Sequence, residues 1–126
     1  MKRFVRYGLP LLAYAGLIFY LSSRSSVPSL QLPGFDKVVH FSEYLGLAVL
    51  TARALTAYAV PRGISVAAAI ALCSAYGASD EVHQASTPNR VSDVRDWVAD
   101  TMGAAAGALG WYAIGRRRFG SAEATR

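Results

Sequence analysis

The sequence predicts an all-α fold: a four-helix transmembrane bundle with a short cytoplasmic link between helices two and three and polar outer loops. Three observations predict it. Of the 126 residues, 53% are hydrophobic and only 17% charged, where soluble domains carry about 25% charge. A soluble domain of this size leaves about a third of its unfolded-chain surface wet, and the mean hydropathy of +0.28 leaves too few polar residues to cover it. The apolar residues collect in four stretches, and the charges between them separate by sign. The length fits one domain, drawn at residues 1–118, with 119–126 as a polar cytoplasmic tail.

The first helix is expected at about 4–22, uncharged after Arg6. Lys2, Arg3 and Arg6 followed by an apolar run also resemble the start of a secretory signal. However, Tyr20-Leu21-Ser22-Ser23 has no small-residue cleavage pattern and three more apolar spans follow, so a retained helix is expected. Helix two (about 37–60) is interrupted by His40, Glu43 and Arg53. Helix three (64–84) carries no charge from Ile64 to Ser79, and helix four (93–115) carries only Asp100 between Trp97 and Ile114. Crossing a hydrocarbon core about 30 Å thick takes roughly 20 helical residues, which these stretches supply with their flanks. Turn signals stand between them at Ser22–Pro28, Pro33-Gly34, Pro61-Arg62-Gly63 and Ser86–Asn89. The Pro61-Arg62-Gly63 link is short enough to make helices two and three antiparallel neighbours.

Gly46, Gly103 and Gly107 are candidate helix-packing positions, because small residues let membrane helices approach closely. The Gly103–Gly107 spacing would also suit a homo-oligomer. The single cysteine, Cys73, excludes an intramolecular disulfide and a multi-cysteine zinc site. Its apolar neighbours from Ala68 to Ala75 suggest a buried, inert thiol.

A net charge of +5 raises the question of nucleic acid, and the placement of the charge answers it. With the N-terminus inside, Lys2, Arg3, Arg6, Arg53, Arg62, Arg116, Arg117, Arg118 and Arg126 are cytoplasmic, whereas Arg24, Lys37, Arg90 and Arg95 lie outside. That asymmetry satisfies the positive-inside rule. A multi-pass protein of the plasma membrane with both termini in the cytoplasm is expected, its charge set by topology and its partner the lipid bilayer.

The acids sort the other way. Asp36, Glu43, Asp80, Glu81, Asp93, Asp96 and Asp100 fall at the outer end with His40 and His83, leaving Glu123 inside. Some have local explanations: Asp36 can cap helix two, and Asp93 and Asp96 suit the positive first turn of helix four. Asp80 and Glu81 oppose the dipole at the end of helix three and call for a partner, whether Arg90, Lys37, a metal ion or a bound cation. Asp36, His40 and Glu43 share one stripe of helix two, while Asp80 and Gln84, like Asp96 and Asp100, are one turn apart. Ionisable groups below the membrane surface face a bundle interior or wet cavity and mark function.

Asp36-Lys37-Val38-Val39-His40-Phe41-Ser42-Glu43-Tyr44-Leu45-Gly46, Ser79-Asp80-Glu81-Val82-His83-Gln84, Pro88-Asn89-Arg90 and Asp96–Ala104 together resemble the VanZ-like family of small bacterial membrane proteins. The resemblance covers residues 35–115, nearly everything beyond helix one. It maps the family's recurrent polar positions onto Asp36, His40, Tyr44, Glu81, Gln84, Arg90, Asp96 and Asp100. Many members carry Pro-Gly-Arg where this chain has Pro88-Asn89-Arg90, and Asn in place of Asp100. It implies an integral protein of the bacterial cell envelope and inner membrane, in a family associated with resistance to the glycopeptide teicoplanin and without an established molecular activity.

Two functional readings follow. In the first, the outer cluster of Asp36, His40, Tyr44, Asp80, Glu81, Gln84, Arg90, Asp93, Asp96 and Asp100 binds a lipid head group or lipid-linked envelope precursor without chemistry, with Arg90 forking to Glu81 and Asp96. In the second, Glu81 is a general acid or base, His40 relays protons, and Asp36, Glu81 and Asp96 hold a divalent cation against a phosphate-bearing lipid substrate. The absence of nucleophile, P-loop and zinc-protease motifs favours the first, and no resident cofactor is expected.

Overall fold

The computed structural model describes the backbone of residues 1–24 and 33–123 and side chains as far as Gly115. The turn expected at Ser22–Pro28, from Ser25 onward, and the last residues of the expected tail lie outside the described residues. No strand occurs among the described residues, which form four helices.

A π-helical turn at Phe4–Gly8 leads into α1 (Leu9–Ser22). Pro10 has no N–H to return to the preceding turn, which is where the helix widens. Gly34 sits at φ +79 before α2 (Phe35–Ala57), in a left-handed conformation that glycine adopts without a Cβ penalty. Residues 58–61 turn the chain, Pro61 is the extended N-cap of α3 (Arg62–Ala85), and α2 and α3 run antiparallel as expected. Asn89 takes φ 61 in the next loop, the left-handed turn that Asn tolerates nearly as well as Gly. Helix α4 runs from Val94 to Glu123, eight residues beyond the expected end at 115 and into the segment expected to be a tail.

The distribution of residue types is inverted relative to a soluble protein. Leu12, Leu17, Phe19, Val38, Ile64, Leu72, Val82, Val98, Met102, Leu109 and Ile114 are exposed, whereas His40, Asp80, Glu81, Gln84, Asp96 and Asp100 are buried. In water such a surface would drive aggregation; in lipid it is the solvated face. Among the described residues, three helical segments, Phe4–Ser22, Phe35–Ala57 and Arg62–Ala85, are long and apolar enough to cross a membrane. Helix α4 has the length, with Arg95, Asp96 and Asp100 lowering the hydropathy of its first turns.

The core is built from small side chains, Ala48, Ala52, Ala69, Ala104 and Ala108, around Tyr44, Leu47 and Cys73. Cys73 is a buried free thiol, as its apolar run indicates. Small residues bring α4 close to α2: a Cβ on Gly103 would strike the Phe41 carbonyl, and one on Gly107 the Leu45 carbonyl. These two glycines are therefore covered within the chain. The close approach they permit is taken by α2. Gly46 performs the same service for Tyr14 of α1. At the end of the bundle away from the acids, Arg53 stacks over Tyr7 at 4.9 Å and Arg62 over Trp111 at 5.7 Å.

Candidate functional site

The first turns of α2, the last turns of α3 and the first turns of α4 meet at one end of the bundle, and their polar side chains turn inward. His40 on α2 points its Nδ1 at Asp100 Oδ1 on α4, 2.9 Å away, with Nε2 at 3.8 Å from Asp96 Oδ2. Asp100 is wholly buried. Gly77 of α3 makes room for it, since a Cβ there would lie 2.8 Å from Asp100 Oδ2 and 3.3 Å from Tyr44 Cε1. An Asn at position 100 could still accept from His40 through its amide oxygen; only the anionic second oxygen would be lost.

Glu81 and Asp80, the acids that oppose the α3 dipole, each have one carboxylate oxygen held by hydrogen bonds. Glu81 Oε2 accepts from the Asp93 backbone N–H at 2.9 Å and from Ser92 Oγ at 3.2 Å. The start of α4 thus offers its free N–H to the end of α3, which offsets both helix-end charges. Asp80 Oδ2 accepts from the Gln84 amide one turn later, at 3.2 Å. The expected fork from Arg90 to Glu81 and Asp96 is not formed. Arg90 is half-buried and makes no ion pair with either; Glu81 Oε2 is held by Ser92 and Asp93, and Asp96 by Lys37.

Lys37 is the hub that sequence reading left in the background. Its Nζ reaches Asp96 Oδ1 at 2.6 Å, Asp36 Oδ2 at 2.7 Å and Asp93 Oδ2 at 3.3 Å. A signal existed, a lysine next to Asp36 on the face opposite two acids of helix four, but choosing among partners required knowing how α2 and α4 pack. Asp36 stays at the rim with its side chain 52% exposed. Asp93 precedes α4, and its Oδ1 accepts the Arg95 N–H at 2.8 Å. That backbone bond, aided by Lys37, holds the Asp93 carboxyl below the usual carboxylate range. Ser92 was not anticipated at all, since a loop serine carries no periodic signal.

Not every residue at this end joins the cluster. His83 packs on Phe19 with ring centroids 4.7 Å apart and lies 2.9 Å from Ser23 Oγ, tying α3 to α1. Tyr44 is fully buried, with its hydroxyl unpaired in the interior. Glu81 Oε1, Asp80 Oδ1 and Asp100 Oδ2 are likewise buried without a partner. Of the potential metal donors among the described residues, His40, Glu81 and Asp100 are gathered, their donor atoms all within 4.8 Å of one another. This differs from the sequence-based set of Asp36, Glu81 and Asp96, two of which are held by Lys37.

Comparison with curated proteins and with solved structures finds no significant match. The profile of one family matches residues 5–115, which takes in α1 to α3, α4 as far as Gly115 and every residue of the buried cluster. The helices, the membrane-facing apolar surface and this match agree, and the chain belongs to the VanZ/LLP1 family.

Proposed function

We propose that the protein works at the bacterial cell envelope, where the cluster between α2, α3 and α4 is an outward-facing site for a lipid head group or lipid-linked envelope precursor. The observation that carries this reading is the burial of His40, Asp80, Glu81, Asp96 and Asp100 at one end of a bundle whose outer surface is apolar. Such groups are costly inside a membrane protein unless they serve a ligand or a polar path. Arg90, half-buried beside them and engaged by neither Glu81 nor Asp96, is suited to a phosphate oxygen. In this reading both termini are cytoplasmic, which the basic Arg53 and Arg62 at the opposite end support, since basic residues favour the inner face. Resistance to glycopeptides is a family-level association and is not assigned to this chain.

The test is a series of His40→Ala, Glu81→Gln, Arg90→Ala and Asp96→Asn, scored for protein level in membranes and for an envelope-stress phenotype. Stable variants that lose the phenotype support a site. Loss of protein throughout the series means that the cluster only holds helices together. One observation favours a second, catalytic reading: Glu81 Oε1 is buried without a partner in the same cluster as His40, an arrangement suited to acid–base chemistry.

A further inference from the structure

We propose that His40, Glu81 and Asp100 form a binding site for a first-row divalent metal ion of the Mn²⁺-to-Zn²⁺ class. The proposal rests on the cluster being a ligand site and specifies what it holds.

Each of three helices supplies one donor: α2 an imidazole, α3 and α4 a carboxylate. Donor atoms around a tetrahedral ion with bonds of about 2.1 Å sit about 3.4 Å apart. The observed spread of no more than 4.8 Å closes to that value with small side-chain rotations. Both acids have one oxygen engaged and one spare. Glu81 Oε2 is held by Ser92 and Asp93 while Oε1 is buried without a partner; Asp100 Oδ1 is held by His40 while Oδ2 is buried without a partner. Glu81 is 6% exposed and Asp100 0%. Two spare carboxylate oxygens in a dry interior suit a cation; Lys37 is already shared among Asp36, Asp93 and Asp96, and Arg90 pairs with neither Glu81 nor Asp100.

The donor set narrows the ion. One imidazole with two carboxylates suits Mn²⁺, Fe²⁺, Co²⁺ and Zn²⁺ better than Ca²⁺ or Mg²⁺, which favour all-oxygen shells. The Ser92 hydroxyl and Asp93 N–H orient Glu81 from outside, as partners of metal-ligating carboxylates do. Three protein donors leave a position for water or for an oxygen of a bound head group.

The experiment uses the full chain, purified without a histidine tag and reconstituted in nanodiscs, with Co²⁺ as probe. One saturable Co²⁺ per chain is expected, with visible d–d bands that Zn²⁺ bleaches. Glu81→Gln and Asp100→Asn should each weaken binding at least about tenfold, while His83→Gln leaves it unchanged. Circular dichroism and gel filtration confirm that each variant is folded. If a variant does not fold, the X-ray absorption spectrum of the wild-type Co²⁺ complex decides: one imidazole among oxygen donors supports the site, and an all-oxygen shell overturns it. Absence of a saturable site, or binding unchanged in Glu81→Gln and Asp100→Asn, also overturns it. Loss of the envelope phenotype in a stable Glu81→Gln protein that never bound metal would sink the metal and leave the head-group site standing. Metal binding by a protein whose folded variants keep the phenotype would do the reverse.

Discussion

His40 Nδ1 and Asp100 Oδ1 lie 2.9 Å apart, joining α2 to α4 in the buried interior although 60 residues separate them in sequence. Removing one partner of a buried pair leaves the other uncompensated, at about 3–5 kcal/mol. His40→Ala should lower the free energy of unfolding in a denaturing-detergent titration by about that much. Asp100→Asn keeps an acceptor for His40 and should cost less than about 1.5 kcal/mol. Equal losses in the two variants would mean that the charge, rather than the hydrogen bond, holds the contact.

The α2–α4 approach depends on two missing side chains. Gly103→Ala and Gly107→Ala place a methyl group against the carbonyls of Phe41 and Leu45, which cannot rotate away. Overpacking of this kind costs about 1–3 kcal/mol. Gly16 and Gly110 have open space where a Cβ would go, so Ala at either should be neutral in the same titration. A tolerated Gly103→Ala would contradict the packing described above.

Lys37 bridges three carboxylates, and its side chain remains 31% exposed. Lys37→Met should destabilise the protein by about 1–3 kcal/mol, chiefly by stranding the mostly buried Asp96. Lys37→Arg, which keeps the charge and adds donors, should recover most of the loss. A Lys37→Met protein as stable as wild type would reduce the hub to a surface pairing.

Asp93 gives a pH dependence. Its carboxyl sits below the usual range because the Arg95 N–H and then Lys37 favour the anion. As pH falls, the unfolded chain takes up this proton first, so stability present near neutrality is lost through the acid range. Melting temperature should therefore drop more steeply for wild type than for Asp93→Asn between about pH 5 and about pH 3. Asn still caps a helix, so the two proteins should differ in slope rather than in fold. Parallel pH curves would remove Asp93 from the account.

Orientation is tested at the C-terminus. A reporter active only in the cytoplasm, fused after Arg126, should be active, whereas one fused into the loop at Ser86–Asn89 should be silent. The opposite pattern would place the acidic cluster on the inner face and end the envelope-facing proposal.

The four helices, their apolar character, the antiparallel α2–α3 link and the family were all legible in the sequence, because each depends on local composition, spacing or ordered motifs; the end of α4 at Glu123 was not. The sequence also separated the acids of the Asp36-to-Asp100 region from the bases around Arg53 and Arg62, since alternation of spans is a counting matter. Tertiary structure decided the partners. Helical spacing puts Asp36, His40 and Glu43 on one stripe, yet His40 turns in to Asp100 while Asp36 stays at the rim with Lys37. Glu81 finds Ser92 and the Asp93 backbone rather than Arg90. The reason is geometric: an i, i+4 pattern states which residues share a face, but the rotation and closeness of neighbouring helices state what that face meets. Here Gly77, Gly103 and Gly107 let α2, α3 and α4 approach closely enough for Asp100 to lie against His40 and Tyr44.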